Sequence, residues 1–183
     1  MVRKLVLLVF VAALVAGCGN KVAVITQAET EGVYVDVAGL TYQVQLSRFL
    51  NPGDIEDRQY LAGLPEGVPA ALPGDEIWFG VWMRVKNYSD ASLTPTDTFR
   101  IEDTEGDEFR PIALDSAANP FVYEPILLHH AQVLPTPDTA AASGPIQGSL
   151  ILFRLTNDAL QNRPLKLFIE HGEGNEAEID LDL

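Results

Sequence analysis

The stretch Glu76-Ile77-Trp78-Phe79-Gly80-Val81-Trp82-Met83-Arg84-Val85-Lys86 decides the fold. Side chains along a strand alternate between two faces. Ile77, Phe79, Val81, Met83 and Val85 therefore share one face, while Trp78, Gly80, Trp82, Arg84 and Lys86 share the other. The first face predicts a buried core. The second carries two large rings with Gly80 between them, and it needs either a cover or a partner. Asn87-Tyr88-Ser89-Asp90 ends the strand as a turn.

Working outward, short strand patterns recur on both sides. Upstream, residues 33–37 and 41–46 alternate around Gly39 and read as a small pairing. Residues 19–28 read as a tether or edge strand, and residues 51–74 as a long connection containing one apolar island at residues 60–65. Downstream, residues 98–102 and 108–112 flank the hairpin loop Asp103-Thr104-Glu105-Gly106-Asp107. Residues 127–134 read as a further strand and residues 135–145 as loop. Residues 149–155 are apolar enough for a central strand, and residues 165–169 and 177–181 close the chain around Gly172-Glu173-Gly174-Asn175. Helical periodicity is confined to the extreme N-terminus, with a single turn expected at residues 157–162. Many short strands separated by turn residues predict an all-β sandwich.

The order Val85-Lys86-Asn87, Ser89-Asp90, Phe99-Arg100-Ile101, Asp103, Gly106, Phe109, Gly148, Leu152-Phe153 and Pro164-Leu165-Lys166-Leu167 adds a resemblance. It is similar to a family of immunoglobulin-like extracellular domains carried by bacterial lipoproteins, a family of unknown function. The resemblance covers residues 75–171 and implies an immunoglobulin-like antiparallel β-sandwich. Residues 20–74 form an N-terminal strand extension outside it, and residues 115–145 a long loop. It implies no activity, because fold does not fix function.

The N-terminus supplies an address. Arg3 and Lys4 precede an apolar run at residues 5–14, followed by Val15-Ala16-Gly17-Cys18. This is the profile of a secretory signal, too short to span a bilayer stably. The last four residues resemble the lipobox of bacterial lipoproteins, which implies that Cys18 is acylated, with palmitate-type chains, and becomes the mature N-terminus. The expected organisation is a signal peptide at residues 1–17, a lipidated tether at 18–28 and one sandwich domain at 29–183. Removing 17 of 183 residues leaves 166, enough for one self-sufficient core. Cys18 is the single cysteine, so no intramolecular disulfide forms.

The chain holds 12 Lys+Arg and 26 Asp+Glu, and without Arg3 and Lys4 the balance becomes 10 − 26 = −16. That charge repels phosphate backbones and argues against nucleic-acid binding. No Gly-x-Ser-x-Gly elbow surrounds Ser149, and no glycine-rich phosphate loop is present. His129 and His130 are adjacent and would point to opposite faces of a strand, so a shared metal is not expected. Two acidic loops, Asp54-Glu56-Asp57 and Asp103-Glu105-Asp107-Glu108, offer oxygen ligands but lack the spacing of a twelve-residue calcium loop.

The sequence thus predicts a non-enzymatic, lipid-anchored binding or accessory module on the extracytoplasmic face of the cell membrane. Its partners would be the membrane, through the anchor, and an envelope protein; no catalytic residue, metal or cofactor is assigned. The alternatives are an envelope hydrolase using loop carboxylates, or a small-ligand or calcium-binding lipoprotein. Trp78, Trp82 and Tyr60 are the candidate partner-binding residues. The island at residues 60–65 is expected to fold back and bury at least one of the two tryptophans. Otherwise both stay exposed, rimmed by Arg84 and Lys86, as a docking platform.

Overall fold

The computed structural model describes residues 23–181, so Cys18 and the expected signal segment lie outside the described residues. In chain order the strands are β1 (Gln27–Ala28), β2 (Tyr34–Val37), β3 (Leu40–Leu50), β4 (Glu76–Lys86), β5 (Thr98–Glu102), β6 (Glu108–Phe109), β7 (Pro111–Ile112), β8 (Val133–Leu134), β9 (Ser149–Thr156), β10 (Lys166–Glu170) and β11 (Glu176–Asp180). Among the described residues, one four-residue helix, α1 (Ala140–Ser143), and single 3₁₀ turns at Asp57–Gln59 and Asp158–Leu160 accompany them.

Two sheets form an immunoglobulin-like antiparallel β-sandwich. The five-stranded sheet runs β1-β11-β10-β5-β6, and the six-stranded sheet runs β2-β3-β4-β9-β7, with β8 pairing the end of β4. All strand pairings are antiparallel except β1 with β11. Of the two readings of residues 19–28, Gln27–Ala28 take the edge strand, pairing with β11 at the margin of the five-stranded sheet.

The alternation in β4 places it at the centre of its sheet, in register with β3 on one side and β9 on the other. Phe79, Val81, Met83 and Val85 are fully buried between the sheets. They pack with Tyr42 and Val44 of β3, Phe153 and Leu155 of β9, and Phe99, Ile101, Leu167, Ile169 and Ile179 from the opposite sheet. Ala28 joins this core, which explains why the chain before β2 is pinned rather than loose.

One irregularity in β3 shapes everything above the sheet. The β3–β4 register shifts between Val44 and Leu46. An extra residue in a strand reverses the phase of its side chains. Before the shift Leu40, Tyr42 and Val44 face the inter-sheet core; after it Leu46 and Leu50 join the tryptophan side while Phe49 meets Phe79, ring centroids 5.3 Å apart.

Three sequence expectations change, the first at residues 108–112, which split into β6 beside β5 and β7 beside β9 of the other sheet. Residues 127–134 form no continuous strand: Leu128 bridges Leu93, residues 129–132 turn with Ala131 at φ 64°, and only Val133–Leu134 pair. The buried Asn87 explains this, since its Nδ2 donates to Leu128 O at 2.8 Å and to Ala91 O at 2.7 Å. Its side-chain oxygen accepts Ser89 N. Residues 135–145 are not all loop either, because Thr139 caps α1 by accepting Ala142 N.

Candidate functional site

The tryptophan face has its own cover. Trp78 is 1% exposed, Trp82 0% and Tyr60 3%. Tyr60 meets Trp82 edge-on at 5.1 Å between centroids and Phe121 at 4.9 Å. Leu50, Leu61, Phe121, Ala141, Leu150 and Leu152 complete a second apolar cluster on the outer side of the six-stranded sheet. Both tryptophans are thus buried against residues 50–72 and 112–146, and the three candidate partner-binding residues form an internal layer, not an exposed platform. The gap left by Gly80 is filled by Trp82 itself: a Cβ at Gly80 would sit 2.8 Å from the ring's Cη2 atom.

Arg48, brought to this side by the β3 register shift, joins sheet and cover. Its guanidinium lies 5.5 Å from the Trp82 ring centroid and 5.9 Å from that of Tyr60, and it bonds Asp57 Oδ1 at 2.5 Å. Asp57 Oδ2 accepts Asn51 N at 2.8 Å. Burial pushes the Asp57 carboxyl up, but the Arg48 and Asn51 bonds outweigh it and hold the group below the usual carboxylate range. Asn119 ties the two covering loops: its Nδ2 donates to Tyr60 O at 3.0 Å and Ala62 O at 3.1 Å, and its Oδ1 accepts Phe121 N. Trp78 Nε1 donates to Ala70 O at 2.7 Å, whereas Trp82 Nε1 is buried without a partner among the described residues. An orphaned donor costs about 1–3 kcal/mol. Burying roughly 200 Å² of indole is worth about 5 kcal/mol at 25 cal/mol/Å², so packing wins.

The remaining polar candidates are structural by contact. Asp103, in the hairpin loop considered for calcium, accepts the backbone N–H of Glu105 and Asp107 at 3.0 Å each and Asn162 Nδ2 at 3.0 Å. Oδ1 is thus engaged by its own turn and Oδ2 by Asn162. Across the outer face of the five-stranded sheet, Arg100 bonds Glu102 and Glu170 and lies 3.9 Å from the Phe168 ring centroid. Lys166 meets Glu178 at 3.3 Å and Asp180 at 3.6 Å. His129 Nδ1 pairs with Ser92 Oγ at 2.7 Å and His130 Nδ1 with Ser89 O at 3.0 Å, so the two rings serve different loop contacts. Among the described residues no group of three or more His, Cys, Asp or Glu is placed to hold a metal ion.

The described residues shape several concave surfaces, and two of them are lined by Phe or Tyr side chains. A cleft of about 330 Å³ opens at the sandwich edge between β5 and the segment leading from β7, lined by Phe99, Ile112, Leu114, Val122 and Tyr123 with Asp97 at its rim. Tyr123 donates to Thr96 O at 2.9 Å, and burial raises its hydroxyl well above the ordinary value. A larger groove of about 810 Å³ lies at the end of the sandwich where the described chain begins. Ala23, Val24, Tyr34, Ala38, Tyr88 and Asn175 line it.

Sequence reasoning found Trp78, Trp82 and Tyr60 but missed Arg48, Asn119 and Phe121. Arg48 becomes legible only once the register shift is known. Asn119 and Phe121 stand in a loop whose contacts lie some sixty residues away in sequence.

No family model and no curated protein matches this chain. Among solved structures it is similar to the yjhA protein from Bacillus subtilis, at 10% identity and TM-score 0.54 over 84% of this chain and 99% of that one. An uncharacterized beta-sandwich protein from Clostridium difficile aligns over 88% and 98% of the two chains, at 13% identity and TM-score 0.47. The likeness to the Bacillus subtilis protein is one of fold alone.

Proposed function

We propose that this protein is a lipid-anchored, non-catalytic binding or accessory module of the cell envelope, held through Cys18 on the extracytoplasmic face. The observation that carries the reading is where the chain enters the sandwich. β1 docks parallel to β11, and Ile25 is fixed to Asp36 through Asp36 N to Ile25 O at 2.6 Å and Ile25 N to Asp36 Oδ2 at 3.1 Å. The body is therefore gripped from residue 25 onward, close behind the cysteine that the sequence assigns to the membrane. The clustered charges support a structural role as well. Arg48–Asp57, Arg154–Glu76 and the Arg100 network join strands and loops instead of converging on a cavity.

The test is chemical. Cells given an alkyne-bearing fatty acid should label the wild-type protein, and Cys18→Ser should lose the label and leave either uncleaved precursor or released protein. An unmodified Cys18 thiol on mature protein overturns the reading. The edge cleft favours a second reading, a carrier of a small apolar ligand, since its size falls at the low end for ligand pockets. Lipid-extract mass spectrometry of purified protein checks it: a stoichiometric small molecule lost on Leu114→Arg supports the carrier.

A further inference from the structure

Among the described residues the eight exposed large hydrophobic side chains are unevenly placed. Four of them, Val24, Ile25, Tyr34 and Tyr88, stand at one end of the sandwich, and three of these line the 810 Å³ groove. Val24 is 72% exposed, Tyr88 58% and Tyr34 49%. The strand registers fix which end this is. Val37 pairs Leu40 and Thr41 pairs Lys86, so the turn at residues 38–39 and the loop after β4 lie together. Glu170 pairs Glu176, which sets the β10–β11 hairpin, while the parallel β1–β11 pairing makes the chain enter at that same end.

We infer that this end is a bilayer-facing surface, with Tyr34 and Tyr88 seated among the headgroups of zwitterionic lipid and Val24 and Ile25 beneath the domain. The inference rests on the proposal that Cys18 is acylated. From Cys18 to Ile25, where the body first grips the chain, there are 25 − 18 = 7 residues, which span at most about 25 Å when fully extended. An anchored domain on so short a leash must hold one end at the membrane, and the end it holds is the one with the exposed apolar side chains. Tyrosine suits that depth because its ring is apolar and its hydroxyl stays wet. Lys86, whose ammonium lies 4.3 Å from the Tyr88 ring centroid, adds a cation for lipid phosphate. Asp36, Asp90, Glu173 and Glu176 at the same end disfavour an anionic leaflet, so the lipid is zwitterionic.

The experiment uses the full acylated chain reconstituted in phosphatidylcholine vesicles free of other protein. With Cys18 acylated, an introduced cysteine is the only free thiol. Asp90→Cys and Glu173→Cys report on the proposed membrane end, and Glu105→Cys on the far end. Each carries an environment-sensitive dye read against spin-labelled lipid and aqueous iodide. The two near probes should be quenched by the lipid label about five-fold more than the far probe. Adding Tyr34→Ser with Tyr88→Ser should remove at least about half of that difference while the protein still sediments with the vesicles. Replacing a third of the lipid with phosphatidylglycerol at low salt should reduce it as well. Equal quenching at both ends, or near probes that stay open to iodide, overturns the inference and leaves this surface to a protein partner. A protein that remains in the supernatant with a free Cys18 thiol instead overturns the acylation on which the inference rests.

Discussion

Asp103 accepts the N–H groups of Glu105 and Asp107 within its hairpin and Asn162 Nδ2 from the β9–β10 connection, so it both closes the hairpin and ties it down. Burial raises its carboxyl, but the Asn162 bond and the turn's N–H groups outweigh burial and hold it below the usual carboxylate range, as Arg48 and Asn51 do for Asp57. A carboxyl lowered by folding stabilises the fold fully above its unfolded value near about 4 and loses that contribution as pH falls through the lower folded value. Urea titrations across the acid range should show this loss, and Asp103→Asn should flatten it; an unchanged acid limb in that variant would sink the assignment. Tyr42 sets the opposite limit. Burial, partly offset by the Thr96 N–H at 3.0 Å, pushes its hydroxyl up to about 12. A raised value means stability complete below about 10 and drained as pH rises toward 12. Tyr42→Phe should therefore soften alkaline unfolding, at a cost of about 1–3 kcal/mol at neutral pH for the orphaned Thr96 N–H. None of this was legible in the residues themselves. Asp103 reads equally as a solvated turn acid or an oxygen ligand, and only its donors decide.

At the scale of elements, β4 was fully legible because its period of two survives burial on both faces: Phe79 is packed on one side and Trp82 on the other. β3 was legible only up to its register shift: the apolar alternation Tyr42, Val44, Leu46 runs on unbroken in the sequence, while the extra residue turns Leu46 to the tryptophan side. Phe79 and Phe153 face each other across the β4–β9 ladder, both fully buried, so either residue changed to alanine should cost about 3–5 kcal/mol. As direct neighbours the two losses should not add in the double variant. Denaturant midpoints give both numbers, and a change below about 1 kcal/mol at each position would mean that β4 is turned over. Gly80→Ala tests the opposite face. The new methyl would meet Trp82 at 2.8–2.9 Å and Leu150 at 3.1 Å, and a rigid buried ring has little room to yield. The expected penalty is about 1–3 kcal/mol, with a shift in tryptophan emission; a neutral substitution would show that the Trp82 ring lies elsewhere.

At the scale of the whole molecule, the described residues form two apolar clusters, one on each side of the six-stranded sheet, and they differ in how they are made. The inter-sheet core is built from strands whose patterns announce themselves locally. The outer cluster joins a strand face to two long loops, and loops carry no periodicity to read. The island at residues 60–65 was visible because it is apolar where its surroundings are not, whereas residues 113–122 gave no such contrast. This difference in construction has a thermodynamic consequence. The cover is held by scattered directional ties: Arg48 to Asp57, Trp78 to Ala70, the backbone of Phe121 and Tyr123 to Leu150, and Asn119 to Tyr60, Ala62 and Phe121. The sandwich beneath is held by continuous ladders. Locally held layers open before the elements they rest on. Asn119→Ala orphans up to three buried backbone groups at about 1–3 kcal/mol each and should release the cover alone. In wild-type protein both tryptophans should emit at short wavelength and resist iodide. In the variant, emission should move to the red and iodide should quench it at denaturant concentrations where far-UV circular dichroism still reports an intact sandwich. Hydrogen exchange should rise across residues 51–74 and 113–122 before it rises in β4 and β9. If fluorescence and circular dichroism instead change together in the variant, the cover and the sandwich form one cooperative unit, and the six-stranded sheet depends on both of its faces being packed.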